Sequence, residues 1–268
     1  MRPPLSKDTR LCISLAARPS NIGTRFHNHL YDVLGLDYVY KAFTTTDIEG
    51  AIAGVRALGI RGCSVSMPFK EAVLALVDSV EDSAAVIGSV NTIVNDDGRL
   101  TASNTDYIAV RRLVDGLDRS PFLLHGSGGM AKAVATALVD AGFGPGTVVA
   151  RNEAAGKALA TSLGLDWQPA VDSLTAPLVV NATPIGMAGG QQAAALAFPE
   201  TTVRAASTVF DVVAVPALTP LVVAARAAGR SVVTGAEVIA LQAAEQFEKY
   251  TGVRPTPEQV REAAEASR

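Results

Sequence analysis

Two stretches of this sequence carry residue types and spacings that suit chemistry. The first is Phe122-Leu123-Leu124-His125 followed by Gly126-Ser127-Gly128-Gly129-Met130-Ala131 and an amphipathic run that reaches Val139 and stops at Gly142. This order of strand, glycine turn and helix fits the dinucleotide fingerprint G-x-G-x-x-G/A. Gly126 permits the tight turn. Gly128 lets backbone approach a pyrophosphate with no Cβ in the way. Ala131 is small enough for the helix to pack against its strand. The helix start then offers free N–H groups and a positive dipole end to phosphate. A glycine-rich turn also occurs in other α/β proteins, methyltransferases among them. The strand before it, the helix after it and a second strand at Thr147–Ala150 favour the dinucleotide.

The end of that second strand separates NAD from NADP. An NAD site places Asp or Glu there for the ribose hydroxyls. Here the residues are Ala150-Arg151-Asn152. Arg151 is a permanent cation with planar donors, suited to a 2′-phosphate. A solvated surface arginine is the plain alternative, and its position at the strand end favours the phosphate and hence NADP.

The second stretch is Ser64-Val65-Ser66-Met67-Pro68-Phe69-Lys70, at the C-terminal end of an expected strand. In an open α/β sheet that edge faces the ligand. A lone lysine is most often a solvated charge. Asp106, in Asn104-Thr105-Asp106, changes the weighing: a lysine and an aspartate from separate segments can pair across a cleft and place an ammonium for proton transfer. Asn91 and Thr92 add neutral groups that orient hydroxyls. The three histidines compete poorly for this role. His125 reads as buried structure before the glycine turn, and His27 and His29 lie on an early helix. Trp167 reads as packing. Metal-ligand spacing is absent, and no metal is expected.

The elements that must position these residues alternate. Strands are expected at Leu11–Leu15, Tyr38–Phe43, Cys63–Ser66, Phe122–His125, Thr147–Ala150, Leu178–Asn181, Thr208–Val213 and Ser231–Thr234. Helices are expected at Thr24–Leu34, Asp47–Leu58, from Glu71 to Leu76, at Glu237–Tyr250 and at Pro257–Ala266. The pattern predicts mainly parallel sheets. With 268 residues, 49% hydrophobic and 18% charged, the chain can fill one large or two modest cores. A formal charge of −3 argues against a nucleic-acid partner. Cys12 and Cys63 belong to no Cys-x-x-Cys or Cys/His cluster, which argues for reduced thiols in a cytoplasmic protein. MRPPLSKDTR has no apolar signal-peptide core, and the apolar run Val212–Ala225 is broken by Pro216 and Pro220, so no membrane span is expected.

In their order, Ser-Val-Ser-Met-Pro-Phe-Lys, Ser-Val-Asn-Thr, Asn-Thr-Asp, Gly-Ser-Gly-Gly-Met-Ala, Asn181-Ala-Thr-Pro-Ile-Gly-Met187, Pro216-x-x-Thr219-Pro220 and Gln242-Ala-Ala-Glu-Gln-Phe247 resemble the shikimate dehydrogenase family, and within it the shikimate dehydrogenase-like branch. The resemblance spans nearly the whole chain. It implies an α/β substrate domain (1–105 completed by 237–268), a Rossmann NADP domain (106–236) and a cleft between them. It implies Lys70 as catalytic acid/base with Asp106 as partner. Asn91 and Gln242 would bind substrate hydroxyls, and Ser66 stands where the family has Thr. Gly126, Ser127, Gly128, Gly129, Met130, Ala131, Arg151 and Gly235 would bind NADP, with Asn181, Thr183 and Met187 running beside it. The partner is a small-molecule substrate, and the assembly a monomer or homodimer.

The departures fall on the substrate anchors. The family's Ser-x-Ser carboxylate grip is Asn21 and Gly23 here, with Ser20 and Thr24 beside them. The motif asparagine is Ser64, and the usual tyrosine is Ala214. In the cofactor domain a second basic residue is Ala155, with Lys157 close by. Proton-transfer groups are kept while anchors change, which implies weak activity on shikimate or a preference for quinate, an aminoshikimate or another cyclic hydroxy acid. A weakly catalytic NADP-binding regulatory paralogue is the reading from another class, and the Lys70/Asp106 pair argues against it. The Asn-Thr-Asp and Gln-Ala-Ala motifs argue against a methylenetetrahydrofolate dehydrogenase-like enzyme.

Overall fold

Alternating side chains set the first sheet. Ile13 and Leu15 of β1 (Arg10–Ala16) face one way into a core with Cys63, Val65 and Ile93, while Cys12 faces the other way into a core with Tyr31, Tyr40, Phe247 and Tyr250. The computed structural model describes residues 2–267. It divides into two units: one formed by the chain up to Thr105 together with the chain from Ala240 onward, the other by Asp106–Ile239.

In the first unit β1 is followed by α1 (Ile22–Leu34), β2 (Tyr38–Thr44), α2 (Ile48–Ala57), β3 (Gly62–Val65), a 3-10 helix (Ala72–Leu76), β4 (Ser79–Val80), α3 (Asp82–Ala85), β5 (Thr92–Asp96) and β6 (Arg99–Ser103). The sheet order is β2-β1-β3-β5-β6-β4. Asp47 caps α2 by accepting from Gly50 N–H at 2.8 Å. Gly35, at φ 66°, ends α1 in the left-handed region.

Only part of this sheet is parallel. β1 pairs in parallel with β2 and β3, but β5 runs antiparallel to both β3 and β6. The antiparallel hairpin turns on Asp97-Gly98, at φ 50° and 90°, the two-residue turn whose twist matches that of the strands. The expected helix from Glu71 is a short 3-10 turn instead.

The second unit begins with α4 (Thr105–Asp115), whose first residue belongs to the other unit, and continues as β7 (Phe122–His125), α5 (Gly129–Asp140), β8 (Gly146–Val149), α6 (Glu153–Leu163), β9 (Asp166–Gln168), β10 (Leu178–Asn181), α7 (Glu200–Ala205), β11 (Thr208–Asp211), α8 (Pro220–Ala227) and β12 (Ser231–Thr234). All its pairings are parallel, in the order β12-β11-β10-β7-β8-β9. The order reverses between β7 and β10, which is where such sheets place their ligands. β11 stops at Asp211, short of the expected Val213, because the Asp211 carboxylate accepts from Val213 N–H at 3.1 Å and turns the chain. The apolar run after it is divided by Thr219, which caps α8 through Val222 N–H.

α9 (Gly235–Thr251) starts in the second unit and ends in the first, and α10 (Pro257–Ala266) follows it. Thr256 and Gln259 form a reciprocal capping box at the start of α10. Among the described residues no helix is long and apolar enough to cross a membrane.

The helix-side core of the first unit encloses one titratable ring. His27 has no exposed surface and stacks on Tyr40, with ring centroids 4.4 Å apart and planes 8° from parallel. Neither ring nitrogen has a hydrogen bond of ordinary geometry. Burial pushes its pKa down to about 3, and the nearby Gln246 amide opposes this only weakly. The unfolded chain therefore takes up this proton first, at about pH 6.5, while the folded chain refuses it. The stabilisation from neutral His27 is complete above pH 6.5 and falls by about 1.4 kcal/mol for each unit below it. Urea unfolding followed by circular dichroism at pH 8 and pH 5 should show about 2 kcal/mol less acid destabilisation in His27→Phe than in the wild type. Equal acid sensitivity in the two proteins would rule this source out.

Candidate active site

In the first unit a row of hydroxyls crosses the sheet, near the C-terminal ends of β1 and β3 and at the start of the antiparallel β5. Ser14 of β1 lies in register with Ser64 of β3, and Ser64 with Thr92 of β5. Gln246, buried on α9, donates from Nε2 to Thr92 Oγ1 at 3.1 Å, to the Asn91 carbonyl at 3.3 Å and to Ser64 Oγ at 3.4 Å. The Tyr40 phenol lies behind the row. Burial raises its pKa, and the Ser64 and Ser14 hydroxyls beside it pull it back.

Asn91 is held in one orientation. Its Oδ1 accepts from Thr105 N–H at 2.8 Å, from Thr92 Oγ1 at 2.8 Å and from Thr105 Oγ1 at 3.1 Å. A backbone N–H can only donate, so the oxygen must face Thr105. The amide nitrogen is then presented outward, and among the described residues no protein acceptor meets it. Gln242 joins the cluster with Oε1 3.3 Å from the Thr105 hydroxyl. These are neutral, oriented groups of the kind that read hydroxyls on a ring.

Lys70 is anchored to the same cluster by its backbone. Its carbonyl accepts from Val90 N–H at 2.8 Å, one residue before Asn91, and Val65 N–H donates to the Asn91 carbonyl at 2.8 Å. Ser66 is exposed on the turn between β3 and Lys70, with its own N–H tied to Leu15 at 2.9 Å. Asp106 is buried in the first turn of α4, directly after the Thr105 that Asn91 holds.

The anchors that depart from the family pattern sit at the start of α1. Asn21 is its N-cap residue, is exposed and makes no side-chain cap bond. A Cβ on Gly23 would lie 3.6 Å from the hydroxyl of the buried Tyr40, within ordinary contact. Thr24 Oγ1 is buried there without a protein partner.

In the second unit Gly126 is required for two reasons. Its φ is 130°, and a Cβ on it would come 2.7 Å from the Ala182 carbonyl oxygen. Gly128 and Gly129 are exposed, and nothing occupies the space around them. Gly128 is the N-cap of the 12-residue α5, which has no side-chain cap and no acid in its first turn. Ser127 and Met130 flank it half-buried, and Ala131 is buried under the helix. This is an anion cradle in form and charge. Gly235, the first residue of α9 directly after β12, has no room for a side chain, since a Cβ would strike the Val212 carbonyl at 2.4 Å.

Arg151 is exposed after β8, and among the described residues no carboxylate pairs with it. Its neighbours have other tasks. Asn152 caps α6 by accepting from Ala155 N–H at 3.1 Å. Lys157 bonds Glu153 at 2.6 Å and lies 4.9 Å above the Trp167 ring.

Beside the cradle, His125, Asn181 and Asp211 stand in register on adjacent strands. His125 Nδ1 lies 2.9 Å from the Ala197 carbonyl, which makes Nδ1 the protonated nitrogen. Burial, and to a smaller degree the Arg151 charge, lower its pKa. Asn181 has no exposed surface. Its Nδ2 donates to Asp211 at 3.0 Å and to the Ile185 carbonyl at 3.1 Å, and its Oδ1 accepts from Thr183 N–H at 3.1 Å and Thr183 Oγ1 at 2.6 Å. Every polar atom of that amide is committed, so Asn181 shapes the loop and stands behind the cradle. Met187, at the loop's far end, is 43% exposed.

Two residues of this arrangement escape a reading of sequence. Gln246 shares a helix face with Gln242, four residues earlier, and that spacing is the signal that marks it. Asp211 ends an apolar strand and carries no local mark at all.

Comparison with known proteins agrees with this layout. Residues 21–93 match the shikimate dehydrogenase substrate binding domain. A shikimate dehydrogenase-like protein of Haemophilus influenzae is 52% identical over 98% of both chains. A shikimate dehydrogenase (NADP(+)) of Oleidesulfovibrio alaskensis is 38% identical over 84% of each. Among solved structures, shikimate 5-dehydrogenase of Thermus thermophilus in complex with NADP(H) and shikimate superposes with a TM-score of 0.84 at 32% identity, covering 97% of this chain and 99% of that one. Quinate dehydrogenase of Corynebacterium glutamicum in complex with NAD superposes at 0.86 and 27% identity, covering 96% and 98%. With full-length identity at this level and the motif residues gathered as described, the chain belongs to the shikimate dehydrogenase family.

Proposed function

We propose that this protein is an NADP-dependent oxidoreductase that interconverts a ring hydroxyl and a ketone on shikimate or a closely related cyclic hydroxy acid. The observation that carries the reading is the fixed Asn91 amide, locked by Thr105 and joined through Val90 to the backbone of Lys70. It presents a neutral donor beside a lysine, which is what orienting and deprotonating a ring hydroxyl requires.

The second unit's residues fit the cofactor. Gly128 and Gly129 place no side chain at the uncapped start of α5, where a pyrophosphate would be held, and Gly126 makes the turn before it. Arg151, which no carboxylate among the described residues pairs with, would hold the 2′-phosphate. NADP, when bound, supplies the hydride acceptor or donor. Lys70 does the proton chemistry. In oxidation its neutral Nζ takes the proton of the reacting hydroxyl as the C–H hydride leaves. In reduction its ammonium returns that proton to the carbonyl oxygen. Asp106 orients Lys70 and accepts from a neighbouring substrate hydroxyl, while Asn91 and Gln242 hold further hydroxyls.

Gly23 and Ala214 favour a substrate other than shikimate. Each lost hydroxyl contact to a substrate carboxylate costs about 1–3 kcal/mol, or roughly 5- to 150-fold in affinity. The likeness to a quinate dehydrogenase bound to NAD supports testing a wider panel with both cofactors.

Initial rates with shikimate, quinate and amino-substituted analogues should show a faster member than shikimate, with NADP favoured over NAD. Shikimate as the fastest substrate would overturn the altered preference. Lys70→Ala should bind NADPH within about twofold of wild type and lose about 10²- to 10⁴-fold in kcat. A kcat within fivefold of wild type would remove Lys70 from the proton step. Arg151→Ala should raise the KM for NADP by about 10-fold or more and leave the KM for NAD unchanged, since a charge-assisted contact is worth about 1.5–3 kcal/mol. Equal effects on the two cofactors would place Arg151 away from the 2′-phosphate.

A further inference from the structure

We propose that Asp211 is a positioning residue for the cofactor-side loop 182–187, acting through Asn181 and Thr219 without touching the cofactor itself. The inference rests on the reading above that the second unit binds NADP.

Asp211 has no exposed surface. Its carboxylate accepts from Thr219 Oγ1, from Asn181 Nδ2 at 3.0 Å and from Val213 N–H at 3.1 Å. Among the described residues no cation pairs with it. Burying a carboxylate without a counter-ion is expensive, and three neutral donors are what offset it here. Burial accordingly raises its pKa above the ordinary carboxylate value. An aliphatic side chain in its place would leave the Asn181 amide, the Thr219 hydroxyl and the Val213 N–H without the acceptor they share. A carboxylate placed there has a job in directing its donors.

That job is legible in the polarity of the bonds. Thr219 Oγ1 accepts from Val222 N–H at 3.1 Å as the cap of α8, so its proton is free for Asp211. Asn181 cannot flip, because Ile185 O and the carboxylate both accept while Thr183 N–H donates. The chain of donors therefore runs one way. Ile185 N–H donates to Thr183 Oγ1 at 3.1 Å, Thr183 Oγ1 to Asn181 Oδ1 and Asn181 Nδ2 to Asp211. Only a group that accepts on both oxygens terminates this chain and holds Thr219 at the same time.

The loop so fixed lies against the cradle. Ala182 N–H donates to the His125 carbonyl at 2.8 Å, and the Ala182 carbonyl is the atom that bars a side chain from Gly126. At the loop's other end Gly186 packs against Thr219 and Pro220, and Ala188 N–H bonds the Val215 carbonyl at 2.9 Å. Asp211 is thus the shared anchor of the two segments that border the cofactor cradle on the β10–β11 side.

The test combines binding with exchange in the cofactor-free protein. Asp211→Asn keeps the volume and replaces one accepting oxygen by a donor. NADPH titrated by fluorescence should bind at least tenfold more weakly to it than to wild type. Deuterium uptake in peptides covering 182–188 of the cofactor-free protein should quicken, with uptake in 22–34 unchanged. Asn181→Ala should weaken NADPH binding likewise, and the double variant should be no weaker than the worse single one, since both break one chain. If Asp211→Asn fails to fold, Thr219→Val and Asn181→Ala, which leave the aspartate in place, carry the same two readouts. Wild-type NADPH affinity in the folded variants, or additive losses in the double variant, would overturn the proposal and leave the cofactor reading standing. No NADPH binding by the wild-type protein would overturn both.

Discussion

The side-chain oxygen of Asn91 is the point on which the first unit's site depends. It accepts the first N–H of α4, at Thr105, together with two hydroxyls, so the start of that helix is fixed to the start of β5. A helix leaves its first N–H groups unpaired, and a side chain from elsewhere in the fold that satisfies one also fixes where the helix begins. Lys70 is tied to the same strand start through Val90, so its backbone is referred to the strand that carries this amide.

The two units solve the same problem with the same geometry. Strands paired in register put alternate residues of neighbouring strands on one line, apolar within the sheet and polar at its end. In the first unit the end row is Ser14, Ser64 and Thr92, all hydroxyls. In the second it is His125, Asn181 and Asp211, a neutral ring, an amide and a carboxylate. The first row lies beside the Asn91–Gln246 cluster of neutral amides and hydroxyls. The second lies behind an anion cradle, and its one charge is directed inward and spent on the loop.

Regular strands and their ends were legible in the sequence, because they rest on local periodicity. Phe122–His125, Leu178–Asn181 and Ser231–Thr234 fall where alternation and flanking breakers put them. The antiparallel hairpin through Asp97-Gly98 is absent from the strands expected by alternation, although its Asp-Gly pair is a strong hairpin signal. Among site residues, the glycine turn and Lys70 carry their own local marks. Lys157 shows what sequence leaves out: beside Arg151 it suggests phosphate, and only the structure shows its i,i+4 acid Glu153 and the Trp167 ring beneath it. Asn181 misleads in another way. Its motif runs beside the cradle, but whether an amide faces out or in depends on a partner thirty residues away, and Asp211 bears no local sign of that pairing.

The departures at Asn21, Gly23 and Ala214 fall on different residues from the proposed proton machinery, and this separation has a kinetic meaning. An anchor contacts a part of the substrate that is unchanged in the transition state, so its loss weakens both states alike and appears in KM. A group at the reacting oxygen bonds more strongly as charge develops, so its loss appears in kcat. Gly23 packs beside the buried Tyr40 phenol, and the buried Thr24 hydroxyl has no partner among the described residues. On the proposed reading the altered positions are anchors, while the residue types at 70, 91 and 106 are those assigned to proton transfer and hydroxyl binding. A site altered in this way changes which ring it holds before it changes what it does to the ring.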